Sequence, residues 1–380
     1  MLKKIMELAE HIQRNISRSA SLAIVCFSLI NSAHAIPFER ISQVYFFGDS
    51  LTDSGYNDYF PTPSGKAPTF TTYAGYTWAQ YVARDIKGFA LTLPAQYPIT
   101  YPNLPNDEVT NNTTPPIQSQ CPSPACPVSG MLKGIDYAAG GSSTNSIGFG
   151  LKWAPSLHAQ VNQFLTTHPT VDPNAMIFIW SGANDILTVF STSSTSPIFQ
   201  LLLLETANAA AKNIAQEIAL LSKHGAKRVV VLSLPNIGYT PFINDLVTVG
   251  LAPPSLPGDM KTATFTFNSM LNQELGRVKA KYGTKILYVD VYDLLDNVIL
   301  ATKAGRPYVV GGESFYFTNY NSPVCGYIVP LTPGVLPSYV PSIVCTMGSN
   351  GYVFADELHP TDMAHRLLSI AVEQQIHRWI

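Results

Sequence analysis

Five short runs of β-branched and aromatic residues, separated by helical patterns, constrain the fold more than any other feature of the chain. They are Gln43–Phe47, Ile135–Ala139, Ala175–Trp180, Arg228–Leu234 and Lys285–Val291. Most are continuously apolar, not alternating, which marks strands buried on both faces, as in a parallel sheet. Within Pro197–His224, Leu203, Ala207, Ala211, Ile214, Ile218 and Leu221 form one helical stripe, and Gly225 suits the position that ends it. Further helices are predicted near Thr72–Arg84, Ser156–Thr167, Asp259–Tyr282 and Thr361–Ile380. Strands alternating with helices imply βαβ units. The expected class is therefore α/β: a three-layer α/β/α sandwich on a five-stranded, mostly parallel sheet.

The first 35 residues read as an export signal and not as part of that fold. Lys3, Lys4, Arg14 and Arg18 precede the apolar run Ala20–Ile30, and Ala33-His34-Ala35 supplies a small-x-small cleavage pattern. The run is too short to span a bilayer, which takes about 20 residues. Cleavage near Ala35 predicts a secreted or periplasmic protein and one domain over 36–380. Only 13% of the residues are charged, and the formal net charge is −2. With no cationic run anywhere, nucleic acid is excluded as the main partner, because phosphate binding needs clustered Lys and Arg.

Two stretches depart from the strand–helix alternation. Residues 94–130 are rich in Pro, Asn, Thr and Ser, and hold overlapping glycosylation sequons at Asn111 and Asn112. Residues 307–355 carry no Lys or Arg and one acid, Glu313, among many Tyr, Val, Pro and Phe. Loss of the leader removes Cys26 and leaves Cys121, Cys126, Cys325 and Cys345. An even number in an exported chain points to disulfides, and three pairings are open. Proximity favours Cys121–Cys126 and Cys325–Cys345, the second closing a charge-free loop that could act as a flap. Zinc is the competing use of these cysteines, but no His pair lies near either cluster. No metal or cofactor is implied.

The chemistry lies at the strand ends. The first strand runs into Gly48-Asp49-Ser50-Leu51-Thr52-Asp53-Ser54, so Ser50 falls at the mouth where open α/β sheets place their sites. Gly140-Gly141-Ser142 follows the second strand, Gly182-Ala183-Asn184-Asp185 the third, and Asp356-Glu357-Leu358-His359-Pro360-Thr361 precedes the last helix. A serine hydroxyl needs an adjacent base to become a nucleophile. His359 is the candidate base, with Asp356 to orient it. Pro360 keeps His359 out of helical geometry, and Thr361 can cap the last helix. The Ser50 and Gly141 backbone N–H groups and the Asn184 amide are candidate oxyanion donors, with Gly140 the alternative to Gly141. Asp49, Asp53 and Asp185 read as supporting or capping groups. His158, His168, His224, His365 and His377 read as surface or helix residues.

In these four blocks, FGDSLTDSG, AAGGSS, GAND and DELHPT, the sequence resembles the GDSL lipases/esterases, or SGNH hydrolases, in that family's order and across nearly the whole mature chain. The resemblance implies a flavodoxin-like sandwich and ester hydrolysis through an acyl-enzyme. Two positions depart from the pattern: Asp136, where Asn is common, and Tyr56, where Asn often follows the last glycine of the first block. The first should alter a structural hydrogen bond and not the chemistry. Chain length, leader and the apolar 307–355 stretch resemble the bacterial secreted branch of phospholipases A, lysophospholipases and glycerophospholipid–cholesterol acyltransferases. That branch implies a lipid acyl ester as substrate, a transient membrane contact and an alcohol or sterol acceptor. Esterases of carbohydrates or small molecules, and a non-catalytic lipid binder, are the alternatives.

Overall fold

The computed structural model describes residues 38–54, 70–72, 75–88, 135–145, 154–324 and 351–380. All five cysteines, and with them both expected disulfides, lie outside the described residues, as do the leader, the 94–130 excursion and Tyr56. The chain divides into two compact units, Met1–Ile41 with Ile380, and Ser42–Trp379. The described part of the first holds a short 3-10 turn, Phe38–Arg40.

The second unit contains the sheet. Its strands are β1 (Val44–Gly48), β2 (Met176–Trp180), β3 (Arg228–Leu232) and β4 (Lys285–Val289), in the order β1-β2-β3-β4 and all parallel. Every residue of β2 is buried. The fifth expected strand is reduced to one parallel bridge, Asp136 to Phe46, on the other side of β1. Its backbone still pairs there: Phe46 N–H donates to Ile135 O, and Tyr137 and Ala139 donate to Phe46 O and Gly48 O. Counted with that segment, the order is 2-1-3-4-5, which places a topological switch point between β1 and β2.

Consecutive strand residues point to opposite faces, and β1 shows which helices cover which. Phe46 meets Trp78 of helix α1 (Trp78–Lys87), ring centroids 5.7 Å apart. Phe47 meets Phe164 of α2 (Leu157–Thr167) at 5.4 Å. So α1 and α2 lie on opposite faces, and this unit is a three-layer sandwich. The α2 layer continues through α3 (Ala183–Ser193), α4 (Phe199–Lys223) and α6 (Leu256–Tyr282), with α5 (Pro241–Thr248) beside α6. On the other face α1 packs on α8 (Asp362–Trp379). Between β4 and α8 come α7 (Val291–Lys303), the β5–β6 hairpin (Tyr308–Val310, Glu313–Phe315) and the parallel pair β7–β8 (Asn319–Pro323, Tyr352–Phe354).

Three of these helices, α3, α5 and α7, are absent from the sequence-based expectation. The start of α7 reads as the end of a strand in sequence, because Lys285–Val291 is one apolar run. Asp290 cuts it: its carboxylate accepts from Asp293 N–H at 3.1 Å and caps the helix. The described part of the apolar 307–355 stretch packs inward only in part, since Val309 and Tyr316 are exposed. Phe315, Phe317, Val353 and Phe354 form a buried cluster with Val298, Leu367 and Ile370.

Candidate active site

Ser50 begins the turn that leaves β1. The turn is possible because position 48 is glycine: at φ +151°, a β carbon there would overlap the Trp180 carbonyl of β2. Gly48 is also gripped by a side chain that the motifs do not reveal. Gln160, in α2, accepts from Gly48 N–H at 2.9 Å and donates to Gly48 O at 2.8 Å, to Pro155 O and to Ser142 Oγ. A signal for it exists in the sequence, since Gln160 interrupts the apolar stripe of Leu157, Val161 and Phe164. A polar residue at such a position is buried and needs partners.

His359 arrives on a different kind of turn, between β8 and α8. Ala355 N–H donates to His359 O at 2.8 Å, and Phe354 bridges Pro360. Thr361 closes it, its hydroxyl donating to Tyr352 O while accepting from Ala364 N–H. Asp356 Oδ1 accepts from Leu358 N–H at 2.8 Å and His359 N–H at 2.7 Å, and Oδ2 lies 2.7 Å from His359 Nδ1. On the opposite edge of the ring, Nε2 is 2.8 Å from Ser50 Oγ. Residues 309 positions apart are thereby in hydrogen-bond contact, with Ser50 8% and His359 3% exposed.

The carboxylates of the two turns are in opposite electrostatic states. Burial acts to raise the Asp356 carboxyl, but the adjacent His359 and the three N–H groups outweigh it, and the group lies below its ordinary value. Burial pushes Asp49 up to about 7, with Asp185 and Asp53 adding to the rise, against the Leu51 N–H and His359. Asp185 is pushed up to about 6 by burial although both its oxygens accept from Thr144. Asp136 is raised well above its usual range by burial and by Asp53. It accepts from Ser54 N–H and Ala138 N–H, so the departure from Asn at this position does fall on structural hydrogen bonds.

The glycine and asparagine blocks meet the same edge. Gly140 N–H donates to Asp53 Oδ2 at 2.7 Å and is therefore occupied. Gly141 follows at φ +81°, a conformation that favours glycine. Asn184 opens α3 and donates through Nδ2 to Ser142 O at 2.7 Å. Ser50 and Asn184 thus stand on either side of the switch point between β1 and β2.

Of the histidines read as surface or helix residues, His365 is a helix residue of α8 and is fully buried, and burial lowers its titration to about 3. Among the described residues no group of three or more His, Cys, Asp or Glu could hold a metal ion, and no helix is long and apolar enough to cross a membrane.

A cavity of about 110 Å³ opens directly on Ser50, Asn184 and His359. A water needs roughly a tenth of that space. Its walls are mostly aliphatic and aromatic: Leu187 of α3, Leu294 and Leu295 of α7, Phe317, Val353 and Leu367.

The GDSL-like lipase/acylhydrolase family profile matches residues 44–372. GDSL esterase/lipase At4g16230 of Arabidopsis thaliana is 26% identical over 366 residues, covering 91% of this chain and 90% of its own length. GDSL esterase/lipase EXL2 of the same plant is 24% identical over 374 residues, covering 92% of each. With a family match over most of its length, this chain belongs to the GDSL-like lipase/acylhydrolase family, a family of ester hydrolases.

Proposed function

We propose that the protein is an exported serine hydrolase of lipid acyl esters, with Ser50 as nucleophile, His359 as base and Asp356 as the group that orients and charge-stabilises His359. With the Asp356 carboxylate on Nδ1, the imidazole carries its proton there, and Nε2 is the acceptor for the Ser50 hydroxyl. Ser50 Oγ attacks the ester carbonyl as its proton passes to Nε2. The imidazolium then returns that proton to the leaving alcohol, and an acyl-enzyme remains. Water, activated the same way, releases the acid. The developing oxyanion takes the Ser50 and Gly141 N–H groups and the second N–H of Asn184, since Gly140 already serves Asp53.

The apolar cavity at Ser50 carries the lipid reading. An acyl chain buried there is stabilised by roughly 0.8 kcal/mol per methylene. A sugar would need donors and acceptors along these walls, and among the described residues Asn236 and Thr240 are the main polar groups away from the catalytic ones. Phospholipase or lysophospholipase activity, transfer to a sterol, transient membrane contact and cleavage after Ala35 belong to this reading too.

The experiment is product analysis by mass spectrometry. Purified protein is incubated with a phospholipid, a lysophospholipid and a sterol together, beside p-nitrophenyl esters of short and long chains. Free fatty acid, with or without sterol ester, is the expected result. Release from acetylated sugars alone would overturn the lipid assignment, and an organophosphonate that labels a residue other than Ser50 would overturn the mechanism.

A further inference from the structure

His359 is contacted on three sides. Asp356 and Ser50 hold the two ring nitrogens, and Phe70 lies against the ring itself, centroids 4.8 Å apart and planes at 44°. Phe70 is 3% exposed and belongs to neither of the turns that carry Ser50 and His359. Its neighbours are tied to the start of α8. Asp362 accepts from Tyr76 N–H and the Tyr81 hydroxyl, both at 2.7 Å, and Asp362 N–H donates to Thr72 Oγ1 at 3.0 Å. One helical turn further on, His365 reaches the same segment at both its ends. Its Nδ1 is 3.2 Å from Trp78 N and its Nε2 is 3.4 Å from Phe70 O.

Those partners leave one assignment of protons. Trp78 N–H can only donate, so Nδ1 accepts. Phe70 O can only accept, so Nε2 carries the hydrogen. A protonated ring would bring a second hydrogen to Nδ1, against the Trp78 N–H. Full burial keeps the ring neutral, with its titration lowered to about 3.

We infer that His365 is a positioning residue for the reaction: as a neutral strut between Trp78 and Phe70, it presses the Phe70 ring onto His359 and holds the base in line with Ser50. The inference rests on His359 being the base. His365 touches no reacting atom. It acts on one face of an imidazole whose edges are already hydrogen-bonded, and so fixes the tilt that those bonds leave free.

The test compares His365→Gln, His365→Leu, Phe70→Ala and the double variant His365→Leu/Phe70→Ala on a short p-nitrophenyl ester, with melting temperatures recorded. Glutamine can accept from Trp78 N–H and donate to Phe70 O, whereas leucine fills the space and can do neither. Loss of alignment costs about 10–100-fold in rate. His365→Leu should lose kcat on that scale with KM little changed, and His365→Gln should recover most of it. Phe70→Ala should match His365→Leu, and the double variant should be no worse than either, because both changes break one device. Undiminished kcat in a folded His365→Leu, a Gln variant no better than Leu, or losses that multiply would overturn the inference. If His365→Leu does not fold, Phe70→Ala decides, unchanged kcat being the overturning result. His359→Ala run in parallel separates the two levels. An active His359→Ala removes the base assignment and this inference with it, while an inactive one beside a fully active Phe70→Ala removes this inference alone.

Discussion

The turn that carries Ser50 and the turn that carries His359 meet at 2.8 Å, yet they are held in different ways. The nucleophile turn grows out of β1, a strand paired on both sides, and its shape is imposed from a distance. Gly48 is packed on the Trp180 carbonyl and clamped at N–H and C=O by Gln160, 112 residues away. The base turn lies outside the main sheet and is largely knit by neighbours, with Asp356 collecting N–H groups two and three residues ahead. Their charges differ in the same sense. Asp356 has a histidine beside it and sits low, while Asp49, Asp136 and Asp185, around the Ser50 turn, are raised chiefly by burial and sit high. All four accept hydrogen bonds: at Asp356 the adjacent His359 and the N–H donors outweigh burial, and at the other three burial outweighs the donors.

Four measurements put this contrast at risk. Chemistry comes first. Ser50→Ala and His359→Ala should each lower kcat/KM by at least about 10³-fold, and the pair should lose no more than either alone, because the members act as one unit. Unequal losses would mean that one turn works without the other. Next is backbone fit. Gly48→Ala should destabilise the fold by about 3 kcal/mol, read from urea unfolding, since it forces both an unfavourable φ and an overlap with β2. No comparable cost is expected from Glu357→Ala on the base turn, and equal costs would erase the distinction between distant and local support.

Gln160→Leu should then cost about 2 kcal/mol, by leaving the buried Gly48 N–H without its partner and Gly48 O with Ala139 N–H alone. It should also lower kcat while KM holds, whereas a pure stability loss with full kcat would show that the clamp serves folding only. The smallest effect is in pH dependence. Asp49 binds its proton more tightly folded than unfolded, so its contribution is present below about pH 4 and is lost as pH rises from the unfolded value of 3.8 through about 7. Asp49→Asn should flatten the fall in stability over that window. Asp356 runs the other way: held below its ordinary value, it contributes above that value and loses the contribution as pH falls through the folded one. If unfolding midpoints of Asp49→Asn and the parent change in parallel with pH, the contrast in charge state is wrong.

Much of this is legible without coordinates. The apolar runs at 44–48, 176–180, 228–232 and 285–289 become strands because nothing but a doubly covered sheet buries so continuous a stripe. Ile135–Ala139, with an acid and two alanines in five residues, does not become a full strand: Asp136 and Gly140 turn the chain to meet Ser54 and Asp53. Helix α3 escapes pattern reading because Asn184–Ser193 mixes Thr, Ser and β-branched residues, and its place is set by packing on α4 and by Asp185 on Thr144. His365 looks like any helix histidine. One-dimensional pattern reports which face of a helix is apolar, but not what a polar residue on that face will find there.

Side-chain type alone was enough to set the class of the fold and the identity of the residues at the strand ends, because burial on both faces and the chemistry of a Ser, a His and an Asp are local properties. Chain closure decided the rest: that Asp53 takes the Gly140 N–H, that Gln160 joins the first two blocks, and that Phe70 and His365 stand behind His359. Those are hydrogen bonds and ring contacts between segments tens to hundreds of residues apart. Their partners are chosen by the way the chain folds back on itself and not by any spacing within it.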